Sequence, residues 1–236
     1  MDDLPYHIPG IFLGVVVTVF GFLYFMVAKA TEGSSRQWST IVAILLAFWL
    51  ALTGVLAQNG FFLQFSSMPP RFLIAILPPF FIILLTIALP SWRNSVRQIP
   101  ITSLTYLHIV RVPVEIFIWW VFLEGYMPEI MTFEGKNLDI IMGISAPFAA
   151  IFLVGFKAKN RYGAIGWNIV GLLLLTNVVA HAILSTPFPF QQFGFEQPNI
   201  AVFYFPYIWL PAFIVPAVLF CHLASLVQLL KNDPES

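Results

Sequence analysis

The sequence predicts an all-α, polytopic membrane protein with seven transmembrane helices, its N-terminus outside and its C-terminus in the cytoplasm. Three observations predict it. Of 236 residues, 59% are hydrophobic and only 9% charged, where a soluble domain carries about 25%, so there is too little polarity for a wet surface. Seven stretches, at 8–29, 39–60, 71–90, 102–123, 138–156, 163–185 and 203–229, come near or reach the roughly 20 apolar residues that span a hydrocarbon core. Basic residues alternate from one connector to the next, as an oriented bundle requires.

The first two spans are apolar runs flanked on one side by Lys29 and Arg36. The third holds Pro78 and Pro79, the fourth Pro113, the fifth Pro147, and the seventh Pro206, Pro211 and Pro216. Each proline removes a backbone donor and frees a carbonyl four residues earlier. Kinks are expected there, and the freed carbonyls either meet neighbours or line a cavity. Before the fifth span, "TFEGKNLD" predicts a turn with Gly135 and Asn137, with Asn137 placed to cap the helix that follows. The sixth span carries Asn168, Asn177 and His181. The connectors are too short for a second domain, and residues 1–236 read as one transmembrane domain without an internal repeat.

Orientation follows from the loops. With the N-terminus outside, the inner connectors hold Lys29, Arg36, Arg93, Arg97, Lys157, Lys159, Arg161 and Lys231, against Arg71 and Lys136 outside. Asp2, Asp3, Glu124, Glu129, Glu134, Asp139 and Glu196 gather on the outer side. This positive-inside bias places the protein in the cell's inner (plasma) membrane as a multi-pass protein. The acidic opening lacks the basic region of a cleavable signal peptide.

Several functional classes lose their footing at once. A net charge of zero gives no purchase for nucleic acid. The single Cys221 excludes an internal disulfide. The nucleotide-binding G-x-x-x-x-G-K-[ST], the zinc-protease H-E-x-x-H and the hydrolase G-x-S-x-G motifs do not occur. Every lysine lies in a loop or at a span end, so no retinal Schiff base can form inside the bundle. Enzymatic activity is not expected, although an acid–base pair of Glu115 with His108 or His181 is one arrangement an intramembrane enzyme would use.

The informative stretch is "YLHIVRVPVEIFIWW", residues 106–120. At about 100° per residue, His108, Arg111 and Glu115 fall on one narrow stripe. Arg111 and Glu115 lie within about 3 Å of the midplane of their span, with His108 further in. A charge at that depth costs about 2.5–3.5 kcal/mol, so the stripe faces the interior. Spaced four apart, Arg111 and Glu115 are expected to pair along the helix. They either brace the bundle or line a cavity, Arg111 offering its fork to an anion or carbonyl and Glu115 exchanging a proton. By depth, Asn177, His181 and Thr53 join them in the outer half. Asp139 and Gln58 sit at the outer mouth, and Asn168 and His222 at the level of His108.

These positions predict a ligand site of Arg111, Glu115, His108, Asn177, His181, Thr53 and Asp139, for a small polar or amphipathic solute that is transported or sensed. Neither a metal nor a cofactor is required. An alternative makes His108 with His222, and His7 with His181, axial pairs of a b-type haem protein. A further alternative rests on the outer stretch "STPFPFQQFGFEQPNIAVFYFPYIW". Its aromatic residues can anchor in the interface, roof the cavity, or dock a lipid or membrane-protein partner as an accessory subunit.

Overall fold

The structure is a computed structural model that describes residues 4–30, 36–155 and 160–230. The described residues form helices joined by turns and loops, without a strand. Of the charges used above, Asp2, Asp3, Lys157, Lys159 and Lys231, and the side chain of Arg36, lie outside the description.

Helices α1 (His7–Ala30) and α2 (Arg36–Gln58) are long apolar rods that pack on each other. Gly60, at φ 67°, ends the second by a left-handed turn that glycine adopts without strain. Helix α3 (Leu73–Ala88) turns through 93° into α4 (Pro90–Val96). The break sits at Leu89, whose backbone is extended because it precedes Pro90. The expected third span therefore stops at Ala88, with α4 running across its end.

Helix α5 (Ile101–Leu107), a 3₁₀ turn at His108–Val110 and α6 (Arg111–Leu123) form one span. Pro113 has no N–H for the carbonyl of Ile109, and the turn holding Ile109 is the one that tightens. Helix α7 (Ile140–Phe148) passes through Pro147 into a wide π turn at Ala149–Val154. Helix α8 (Arg161–Leu184) is uninterrupted, its start capped by Asn160 Oδ1 accepting from Gly163 N at 2.8 Å. A π turn at Leu210–Ile214 leads into α9 (Val215–Leu229).

By length and composition, five helices can cross a membrane, or six if the bent pair α3–α4 is one span. The expected fifth span at 138–156 is shorter, an apolar helix over Ile140–Val154. Its start explains the shortfall. Asp139 bonds Arg111, the eleventh of 23 residues in the span Ile101–Leu123, so α7 begins near half depth and the preceding loop descends to meet it. The expected seventh span also begins later, at Leu210, because a 3₁₀ turn at Ala201–Phe203 is followed by a bend and turns over 204–208.

Prolines in α9 show where freed carbonyls go. Pro216 cannot serve the carbonyl of Ala212, and Trp49 Nε1 donates to it at 3.1 Å. Trp209 Nε1 returns a bond to Leu50 O at 2.9 Å. This reciprocal pair clamps α2 to the π turn that leads into α9 and leaves the Ala212 carbonyl satisfied rather than lining a cavity.

The antiparallel order sorts charge by end. His7 meets Trp120 and Phe12 meets Phe117, so the start of α1 lies beside the end of α6. Arg161 Nε donates to Leu229 O, and Gln228 Nε2 to Val96 O and Ile99 O. Lys29, Arg93, Arg97 and Arg161 thus gather at one end of the bundle. Arg71, Lys136, Glu124, Glu129, Glu134 and Glu196 lie at the other.

Candidate functional site

Arg111 starts α6 and is 2% exposed. It pairs with Asp139 rather than Glu115: Nε donates to Asp139 Oδ2 at 2.6 Å and Nη2 to Asp139 Oδ1. The expected i, i+4 pair is thereby corrected. A guanidinium edge is matched best by a carboxylate lying in its plane, and Asp139, arriving from another element, presents both oxygens to it. Glu115 is engaged elsewhere: Asn137 Nδ2 donates to its Oε2 at 2.7 Å and to Met131 O at 2.9 Å. Asn137 Oδ1 accepts from Asp139 N at 3.0 Å, so this side chain folds the descending loop rather than capping α7.

On the side of α5, Arg111 Nη1 reaches His222 Nε2 at 3.0 Å and Nη2 donates to Gly171 O at 3.3 Å. Guanidinium nitrogens only donate, so His222 Nε2 accepts and its proton sits on Nδ1. That proton is given to Asn168 Oδ1 at 2.9 Å, while Asn168 Nδ2 donates to Ala164 O. The chain fixes a neutral His222. His108 stacks on it with ring centroids 3.9 Å apart, and Trp167 meets His108 edge-on at 5.2 Å. Both His108 nitrogens lack a hydrogen-bond partner among the described residues. Gly171 makes the packing possible, since a Cβ there would lie 2.5 Å from His222 Nε2.

This arrangement does not fit the haem alternative. Two imidazoles face to face at 3.9 Å leave no room for a macrocycle between their nitrogens. His7 stands against Trp120, and His181 Nδ1 bonds Asn177 O at 2.8 Å. Among the described residues no group of three or more His, Cys, Asp or Glu converges on a metal position.

Other expected ligand residues point elsewhere. Asn177, half-buried, donates to Lys136 O at 3.0 Å and pins the descending loop. His181 rests on Phe193. Thr53 returns its hydroxyl to Trp49 O in its own helix at 2.8 Å, a local bond that depth alone could not reveal. Asp139 is in the site, deeper than the outer mouth where it was expected. Asn137, Gly171 and Asn199 were not anticipated as site residues; their only sequence signal was the "KNLD" turn, because their partners are distant in the chain.

A cavity of about 120 Å³ adjoins the cluster. On the side of α5, that helix packs directly on α9, whereas α6 stands off from α8 and α9 and a wedge opens. Arg111, Glu115 and Asp139 form its polar end; Val114, Leu175 and Ile214 belong to its apolar wall. Phe72 and Phe203 line it too, and belong to a packed aromatic group with Phe65 and Phe188. Of that expected aromatic surface, Phe188, Phe203 and Tyr207 are turned inward, while Phe195 stays 71% and Phe205 37% exposed.

A family described as "Domain of unknown function (DUF8737)" matches residues 69–230, which take in α3 to α9 and the whole polar cluster. No curated protein and no solved structure matches the chain.

Proposed function

The chain belongs to this family of unassigned function, and we propose that it is a membrane protein that binds a small amphipathic solute in the wedge beside Arg111, Glu115 and Asp139. One observation carries the reading: a largely apolar cavity ends on a charged cluster at half depth of a span. Charges there are expensive, and interrupted helices at that level recur where membrane proteins hold their ligands. Three interruptions converge here, in the 3₁₀ turn before Arg111, the descending loop before α7 and the π turn before α9. The apolar wall favours the amphipathic solute over a wholly polar one.

The same reading takes α7 as a short seventh span, with the N-terminus outside and the C-terminus cytoplasmic in the plasma membrane. The grouping of Lys29, Arg93, Arg97 and Arg161 at one end supports that orientation. The solute is transported or sensed from the acidic side. The alternative, an accessory subunit docking through aromatic residues, loses Phe188 and Phe203 to the interior and keeps Phe195.

Native mass spectrometry of the protein purified from membranes tests the solute reading. The wild type is expected to carry a small amphiphile that Val179→Trp, which fills the cavity, has lost while remaining folded. If the wild type carries none and no added amphiphile raises its melting temperature, the reading fails.

A further inference from the structure

The polar end of the cavity has a definite sign, and that sign selects the ligand's head group. Four of the five Arg111 N–H donors are taken by Asp139, His222 and Gly171, and its charge is paired with Asp139. His222 is held neutral, accepting from Arg111 at Nε2 and donating from Nδ1 to Asn168 Oδ1. Glu115 has no cation at ion-pair distance among the described residues: its hydrogen-bond partner is the Asn137 amide on Oε2, and Oε1 receives no donor from the described residues. A second acceptor shares the cavity. Asn199 is 0% exposed, and its Nδ2 is used by Ala182 O while its Oδ1 has no partner among the described residues. Glu115 Oε1 and Asn199 Oδ1 are both acceptors, so a ligand that reaches them must present a donor. A carboxyl group without an ion-pair partner in an apolar bundle further favours a positive one, whose charge would hold it ionised.

Size and access narrow the ligand. At roughly 10–15 Å³ per water-sized sphere, a cavity of about 120 Å³ takes on the order of ten non-hydrogen atoms. Ile76 of α3 and Val179 and Ile183 of α8 line it, yet α3 and α8 form no packed interface with each other. A chain can therefore enter sideways from the bilayer. Resting on the cavity reading above, we propose that the site selects single-chain amphiphiles with a cationic donor head, primary alkylamines in the simplest case, and seats the ammonium on Glu115.

The experiment is isothermal titration of the purified wild type in maltoside micelles with octylamine, octanol and octanoate, which share a chain and differ in head group. Octylamine should bind about tenfold or more tighter than octanol, the margin of one charge-assisted contact, and octanoate should not bind. Glu115→Gln keeps an acceptor for Asn137, and it should erase the amine's advantage over octanol. Octanol or octanoate binding as well as the amine overturns the head-group proposal and leaves the cavity reading standing. Binding of none of the three overturns both. The wild-type comparison decides alone if the variant does not fold.

Discussion

At the residue scale, the cluster works because each group meets the partner its chemistry demands. Arg111 and Asp139 neutralise each other, so removing one leaves a buried charge that costs about 3–5 kcal/mol. Arg111→Met alone should lower the melting temperature sharply, and adding Asp139→Leu should recover most of the loss. Adding Glu115→Leu in its place should not, because Glu115 is not the pairing partner. Two glycines give a second contrast. A methyl on Gly171 would press on His222 at 2.3 Å and Met142 at 2.8 Å, and Gly171→Ala should cost about 1–3 kcal/mol of stability by overpacking. Gly10 in α1 has nothing within 4 Å of the same methyl, and Gly10→Ala should be neutral or stabilising by about 0.5–1 kcal/mol in the same melts. Equal effects at the two glycines would mean that His222 does not need the close approach.

At the element scale, the prolines decide where helices stop and what compensates them. Trp49 serves the Ala212 carbonyl only because Pro216 cannot. Trp49→Phe should therefore cost about 1 kcal/mol, the order of one unmet carbonyl. In a Pro216→Ala background, where residue 216 regains its N–H, the same change should cost much less. A double-mutant cycle in thermal melts measures the difference, and additive effects would mean that the indole bond is incidental. The prolines were visible in the sequence. Their effects were not uniform: Pro90 bends a span by 93°, Pro113 tightens a turn, and Pro216 recruits an indole from another helix. Which outcome follows depends on what packs nearby, and the local sequence does not contain that.

At the scale of the whole molecule, the proposed orientation makes the sharpest demand. Glu134 is exposed in the descending loop and Ser91 is exposed on α4 at the opposite end. A cysteine at Glu134 should react with an impermeant reagent added to intact cells, and one at Ser91 only after permeabilisation. The reverse pattern would invert the bundle and turn the cavity's acidic side to the cytoplasm. Gly135 is a poor place for this probe, since any side chain there would meet Glu129 O at 2.3 Å.

What the sequence determined by itself is whatever depends on composition and period. The apolar runs, the sorting of charge between connectors, and the burial of the stripe through His108, Arg111 and Glu115 follow from the cost of exposing polar groups to lipid. Those expectations needed no knowledge of neighbours. The tertiary structure alone decided who meets whom. Asp139 displaced Glu115 as the partner of Arg111 because a loop dips into the bundle and shortens α7. Asn177, His181 and Thr53 shared the right depth and still turned to backbone carbonyls, His181 and Thr53 in their own helices and Asn177 in the descending loop. Depth along a helix is a one-dimensional quantity set by a fixed rise per residue, whereas pairing requires the rotation of each helix and the path of each loop. Those are set by packing between segments as far apart in the chain as Arg111 and His222.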